Sequence, residues 1–333
     1  MTTTATPHIL ILGATGGIGQ AAAHAFLRAG WRVRALTRRP DPAADTGLEA
    51  VQWLRGDAMN EADVVGAARG VDVILHAVNP PGYRRWRELA LPMLEHSIAA
   101  ARASGARLLL PGNVYNFGPD AGASVSESSP QHPRTRKGAV RVDMEQRLRA
   151  AGAQGVRSLV LRAGDFFGSV GASSWFTSAM VQPGRPLKRV FFPGRDDVGH
   201  AWAYLPDLAQ TFVRLAERER ELPDFDVYHF GGHWLARNDE MTAALRRACR
   251  RPLRVIHVPW ALVALLRPFS GLMREIHEMR YLWRDPLRLD NRKLLALLGS
   301  EPHTPLDEAV AQCLAELGCL PQPAVGRTAW RAG

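Results

Sequence analysis

The stretch that decides the fold is HILILGATGGIG, residues 8–19. His8 to Leu12 is a short apolar run of strand length that stops at a glycine. An alanine-rich helical pattern follows from Gly17 to Ala29, and a second strand-like run spans Trp31 to Thr37. Strand, glycine turn, helix and strand in that order make a βαβ unit. Gly13, Gly16 and Gly19 fall where the first strand turns into the first helix, and each has its own task. Gly13 permits the tight turn, Gly16 lets the backbone approach a pyrophosphate, and Gly19 allows close helix packing. Thr15, Gly17 and Ile18 complete the turn, and the helix N-terminus adds N–H groups and the positive end of its dipole. A dinucleotide is the expected ligand.

Further strand-like runs lie at Ala50–Leu54, Val71–Val78, Arg107–Leu110 and Arg157–Leu161, separated by helical patterns such as Trp86–Ala103 and Arg136–Ala150. This alternation predicts an α/β fold, a Rossmann-type doubly wound parallel sheet. After Gly168 the pattern turns irregular and rich in Gly, Pro, Trp and Phe through Gly199. A helix at Asp207–Arg220 and a strand at Val227–Phe230 come next, then helices rich in Arg and Leu. The expected division is a Rossmann domain over 1–168, completed by about 203–232. A smaller substrate-binding cap takes 169–202 and 233–320, and a tail takes 321–333.

The end of the second strand discriminates between the two nicotinamide dinucleotides, because sites for NAD usually place a carboxylate there to hold the ribose hydroxyls. This chain has Arg38 and Arg39 instead. A guanidinium pairs with the 2′-phosphate of NADP(H), so NADPH is the expected cofactor and NAD the lesser one. The other reading is two solvated arginines before a turn at Pro40.

The formal net charge of +10 comes with arginines spread along the chain rather than clustered, so no nucleic-acid partner is expected. Cys249, Cys313 and Cys319 have no metal-ligand spacing and leave an odd count, so neither a metal site nor a disulfide framework is expected. A reducing, cytoplasmic setting fits, and the N-terminus lacks the basic start and long apolar run of a signal peptide. Val258–Met273, the most membrane-like stretch, is too short to span and is interrupted by Arg267 and Pro268. The expected partner is a small-molecule substrate, without a membrane and with a homodimer possible.

GATGGIG, the RGD of Arg55–Asp57, the HAVNP that begins at His76, LRAGDFFG over Leu161–Gly168 and the LPDLA around Asp207 resemble the extended and atypical short-chain dehydrogenase/reductases, the epimerase/dehydratase-like superfamily. The resemblance implies Asp57 and Ala58 beside the adenine, His76, Ala77 and Val78 along the ribose and nicotinamide path, and Asn79 near the following loop. The usual Tyr–Lys pair and Ser/Thr of that superfamily are absent, with Lys137, Arg141 and Asn113 in those places. KGAVRVDME (137–145) and LLLPGNVYNFG (108–118) are similar instead to isoflavone-reductase-like enzymes. By that resemblance Lys137 takes the role of proton donor, provided burial and Arg141 favour its neutral form. The alternative is a solvated lysine on a basic helix face.

Asn113 is either an amide donor to a substrate oxygen or a turn residue, and Tyr115 either a second acid or a packed phenol. Tyr83 and Trp86 are read as an apolar wall of the substrate site. Asp165 stands where nucleotide-sugar enzymes of the superfamily carry an asparagine, and His200 where they carry a pyrophosphate-binding arginine. With Phe166, Trp175, Phe176, Phe191, Phe192 and Trp202 they suggest an apolar substrate pocket, the alternative being that these aromatics pack the cap. The function expected is NADPH-dependent reduction of a small, mainly apolar carbonyl-type substrate. The alternatives are an epimerase or dehydratase, and a non-catalytic NADP(H)-sensing protein.

Overall fold

The central sheet of the computed structural model holds seven parallel strands, and the structure describes residues 6–39, 46–80, 86–168 and 174–320. The strands are β1 (His8–Leu12), β2 (Arg32–Thr37), β3 (Gln52–Arg55), β4 (Val73–His76), β5 (Arg107–Asn113), β6 (Ser158–Ala163) and β7 (Phe225–His229). Their spatial order is β3-β2-β1-β4-β5-β6-β7, so the chain reverses direction across the sheet between β1 and β4. That reversal opens a crevice at the strands' carboxyl ends, and the glycine turn lies in it.

Successive side chains of β1 enter opposite layers. Ile9 and Ile11 join one core and Leu10 and Leu12 the other, which is why the strand reads as an unbroken apolar run. The first layer packs α1 (Gly17–Arg28) through Ala22, Ala25 and Phe26, with Leu208, Phe212 and Leu215 from residues 205–217. The second layer takes α2 (Glu61–Ala67), α3 (Trp86–Ser104) and α4 (Arg136–Gly152), the last through Val140, Met144 and Leu148. α5 (Leu205–Glu217) and β7 thus return late sequence to the first-formed core.

A third core joins Phe167, Phe176, Phe192, Trp202, Leu245 and Val310 with others from the C-terminal part. Three small sheets frame it. Asp165–Phe167 pairs in parallel with His200–Tyr204, which pairs antiparallel with His233–Leu235. Arg189–Phe192 pairs with Arg254–His257, and Ser124–Val125 with Arg288–Leu289. The irregular stretch expected between Gly168 and Gly199 therefore contains a strand, and the all-helical C-terminal reading omitted three more. Phe176, Phe192 and Trp202 are completely buried, so they pack the core and line no pocket. Phe191 is exposed, and Phe166 packs against the first Rossmann layer beside Ile18 and Ala77 rather than in the cap. Among the described residues, no helix is long and apolar enough to cross a membrane.

Candidate functional site

The glycine turn is built by close approach of backbone. Gly13 has φ of +90°, and a Cβ there would stand 2.7 Å from the Ala77 carbonyl oxygen and 2.8 Å from the Val78 nitrogen. A Cβ on Gly19 would lie 2.7 Å from the Gly13 carbonyl carbon and 2.8 Å from Ala14 Cα. Both glycines are thus demanded by the fold. Gly16 is different: it caps α1 at φ −92°, and its Cβ would meet only Gly13 O, at 3.4 Å. Thr15, Gly17 and Ile18 are half-buried around it. At the end of β2, the exposed Arg38 guanidinium stands 4.0 Å from the Asp57 carboxylate. Asp57 Oδ1 accepts from Met59 N, and Ala58 O accepts from His96 Nδ1 at 2.9 Å. Arg39 is exposed, its N–H donating to Thr37 Oγ1.

The end of β4 carries a buried imidazole. Ser97 Oγ donates to Met93 O at 3.0 Å, so His76 Nδ1 must donate to Ser97 Oγ at 2.7 Å and Nε2 is left as an acceptor. Burial, reinforced by the Arg141 charge, pushes the His76 pKa down to about 3, so the ring is neutral. Arg141, from α4, spans two strand ends: Nη1 donates to Pro111 O of β5 and Nη2 to Asn79 Oδ1, each at 3.2 Å. Its guanidinium lies over the Trp86 ring at 5.1 Å. His76 Nε2 and Arg141 Nε are both buried without a hydrogen-bond partner among the described residues. One is an acceptor and the other a donor, and orphaned buried groups of this kind call for a water or a ligand. Tyr83 lies outside the described residues.

Lys137 is only 5% exposed, which removes the solvated reading. The start of α4 explains its burial. Thr135 caps the helix by accepting from Gly138 N at 2.9 Å, and Gly138 has no Cβ to strike the Tyr115 carbonyl oxygen, so the helix closes on the turn after β5. Lys137 and Arg141, four residues apart, share one helical face. Asn113 ends β5, buried, and its Oδ1 accepts from Tyr115 N at 3.0 Å. That cap is the turn role, and it leaves Nδ2 as the donor end. Tyr115 is half-buried and packs beside Val114 and Phe117. Beneath them Glu145 accepts from Nε and Nη2 along one edge of the Arg162 guanidinium, at 3.0 and 2.6 Å, and from Asn116 at 2.9 Å. This buried network fixes α4 against β6.

Asp165 and His200 also meet. Asp165 Oδ2 lies 2.8 Å from His200 Nε2, while His200 Nδ1 faces the Leu282 carbonyl at 3.2 Å. A carbonyl only accepts, so Nδ1 carries a hydrogen and one further proton lies between ring and carboxyl. The ring stacks on Trp283, 4.0 Å away and nearly parallel, and Trp283 in turn meets Trp175 edge-on. Tyr281 donates to Phe117 O at 3.1 Å; burial and then the Asp165 charge raise its pKa. A narrow cavity is lined by Val114, Asp165, His200, Ala201, Leu282 and Leu287. The sequence reading had no signal for Tyr281, Leu282 or Trp283, which arrive from distant sequence. A broader hollow by His8, Trp31 and Gln52 sits at the strands' amino ends, away from all these groups. Among the described residues, no cluster of His, Cys, Asp and Glu suits a metal ion.

No curated protein matches the chain. Solved structures share its fold at low identity. The UDP-glucose 4-epimerase from Brucella ovis, in complex with NAD, superposes with a TM-score of 0.73 at 14% identity, over 94% of this chain and 99% of that one. UDP-glucose-4-epimerase from Stenotrophomonas maltophila, with bound NAD and formylated UDP-arabinopyranose, gives 0.72 at 15% over 93% and 98%. A nucleoside-diphosphate-sugar epimerase from Pseudomonas aeruginosa gives 0.72 at 18% over 95% and 100%. The family profile described as NAD dependent epimerase/dehydratase matches residues 9–231, from the first strand through the last of the central sheet. By that match and the sheet order that accompanies it, the chain belongs to the NAD dependent epimerase/dehydratase family.

Proposed function

We propose that this protein performs redox chemistry at a hydroxyl- or carbonyl-bearing carbon of a small substrate, with a nicotinamide dinucleotide over its glycine turn, in the epimerase or dehydratase manner of its family. The observation that carries this reading is the burial of three polar side chains, Lys137, Arg141 and Asn113, to 5, 7 and 8% exposure around the carboxyl end of β5. Burying polar side chains of this kind is costly, and their gathering at one strand end in the crevice of the sheet is the mark of a functional site.

The turn suits the dinucleotide because Gly16 is glycine where no protein atom requires it. Gly13–Gly19 would hold the pyrophosphate, Asp57 and Ala58 the adenine side, and His76–Asn79 the path toward the reacting carbon. When bound, the dinucleotide supplies a hydride acceptor or donor for that carbon. Asn113 Nδ2 donates to the substrate oxygen, its own Oδ1 being held by Tyr115 N. Lys137 gives or takes the proton at that oxygen, with Tyr115 as the nearest alternative acid. Arg141 positions both by tying Asn79 to Pro111.

The Asp165–His200 pair separates this site from that of the nucleotide-sugar enzymes. Where those enzymes place an arginine, His200 is bonded to Asp165 and offers no guanidinium to a diphosphate, so the substrate is small and mainly apolar, with Trp86 and Trp175 at its edges. A second reading, net reduction by NADPH, has Arg38 and Arg39 at the end of β2 in its favour. The similar epimerase structures that hold NAD point the other way.

The test is titration of the purified protein with the reduced and oxidised forms of both dinucleotides, followed by aldehydes, ketones and aryl ethers with the reduced forms and alcohols with the oxidised ones. An epimerase or dehydratase converts substrate with no net change in dihydronicotinamide absorbance, whereas a reductase consumes NADPH mole for mole. Failure to bind either dinucleotide overturns both readings.

A further inference from the structure

Of the large apolar side chains exposed among the described residues, four fall within eight positions: Leu262 at 50%, Leu265 at 68%, Leu266 at 41% and Phe269 at 87% exposed. Their spacing is i, i+3, i+4 and i+7, one face of the helix Trp260–Leu266 and the turn that continues it. Val263, at the flank of that stripe, is buried and anchors the helix, and Trp260 Nε1 donates to Pro193 O at 2.8 Å. An amphipathic helix normally turns its apolar face inward. Here the apolar face is the one that meets water, and isolated exposure of this kind is not scattered background.

Basic residues outnumber acidic ones in this part of the chain. Arg189, Arg254, Arg267 and Arg274 are exposed and form no ion pair among the described residues. Between residues 250 and 285 the chain has seven arginines against three acidic residues. The sheet leading into the helix adds Phe191, 40% exposed, beneath the Arg189 guanidinium. The family match ends at residue 231, so the helix and its exposed face lie beyond the matched part, whereas Arg189 and Phe191 lie within it.

We infer that this face docks on an anionic phospholipid bilayer, with Leu265 and Phe269 inserted among the acyl chains and the arginines against the headgroup phosphates. A second copy of the chain is the weaker occupant, because a two-fold contact through this face would bring unneutralised arginines against their own equivalents. The segment is too short to span a membrane, so the attachment is to the surface and reversible. It is independent of the reaction proposed for the cleft.

The experiment is co-sedimentation of the full chain with vesicles of equal parts phosphatidylglycerol and phosphatidylcholine, and with phosphatidylcholine alone, at low salt. Binding to the first and not the second is expected, with a loss of about tenfold or more when salt is raised to about 0.5 M. Leu265→Glu with Phe269→Glu should reduce binding by at least about tenfold. Arg254→Glu with Arg267→Glu should do the same, and both variants should melt as the parent does. No vesicle binding, equal binding to both lipids, or unchanged binding by the two double variants overturns the inference. So does sedimentation velocity in which the parent is a dimer that Leu265→Glu with Phe269→Glu dissociates while the parent ignores vesicles.

Discussion

Gly16 and Gly19 lie three residues apart in one turn, yet substitution at each should fail in a different way. Alanine at Gly19 drives a methyl into Gly13 and Ala14 backbone, with contacts of 2.7 and 2.8 Å that no side-chain rotation relieves. Overpacking of that kind costs about 1–3 kcal/mol, a melting temperature lower by about 1.5–4 °C for a chain of this size. Valine at Gly16 finds φ of −92° and ψ of 166°, an extended conformation that suits a β-branched residue. The lost cap preference and the gain from a stiffer unfolded chain are each about 1 kcal/mol or less and oppose one another, so melting should move by no more than about 1 °C. The same side chain would stand where the pyrophosphate belongs, and dissociation constants for NADH and NADPH should rise more than about a hundredfold, about 2.7 kcal/mol. Differential scanning fluorimetry and dinucleotide titration read the two effects separately. The reasoning is refuted by parental affinity in Gly16→Val, or by a melting loss in that variant equal to that of Gly19→Ala.

Lys137→Met keeps most of the side-chain volume and removes the proton donor, so on an identified substrate turnover should fall about a hundredfold with dinucleotide affinity retained; parental turnover would hand the role to Tyr115, Asp165 or water. Arg38→Asp should shrink any preference for NADPH over NADH in calorimetric titration, and equal affinities in the parent would end the argument from Arg38 and Arg39. Three buried histidines should make the fold acid-labile. Burial holds His76 and His229 down to about 3 and His233 to about 4, so the unfolded chain binds more protons below the ordinary value of 6.5. Their contribution is complete above that value and is lost as pH falls, by up to about 1.4 kcal/mol per pH unit for each ring. Urea midpoints measured from pH 7 to pH 5 should fall steeply, and His76→Asn, which keeps a donor toward Ser97, should flatten the slope by roughly a third; an unchanged slope would mean His76 is not held neutral by the fold.

The Rossmann half was legible because its signals are local. A run of apolar residues ending in glycine is enough to place β1, since both of its faces are covered. β5 runs three residues past the expected Leu110 because Pro111 and Gly112 sit inside it, Pro111 opposite Leu161, where a Pro-Gly pair normally reads as a break. The cap strands were hidden for another reason. Arg189–Phe192 is completed only by Arg254–His257, and short strands with partners that distant leave no periodicity to count. Aromatic content did not distinguish a pocket from a core, and Phe176, Phe192 and Trp202 proved to be core. The solvated alternative for Lys137 rested on its neighbours Arg134, Arg136 and Arg141, although Val140, Met144 and Leu148 mark the inner face of the same helix and Lys137 continues it. Thr135 and Gly138 were the other available signals of that burial.

The late return of α5 to the first layer has a consequence in time. α1 leaves the ribosome with Ala22, Ala25 and Phe26 facing a partner that is not translated until residues 205–217, and β6 remains an open edge until β7 has been made. At about 5–20 residues per second that interval lasts roughly 10–40 s. Throughout it the nascent chain presents an apolar helix face and an unpaired strand, the surfaces that chaperones bind and that drive aggregation. A fragment ending at residue 168 would be held permanently in that condition, so the dinucleotide half should be produced as a stable protein only when the chain extends past residue 231.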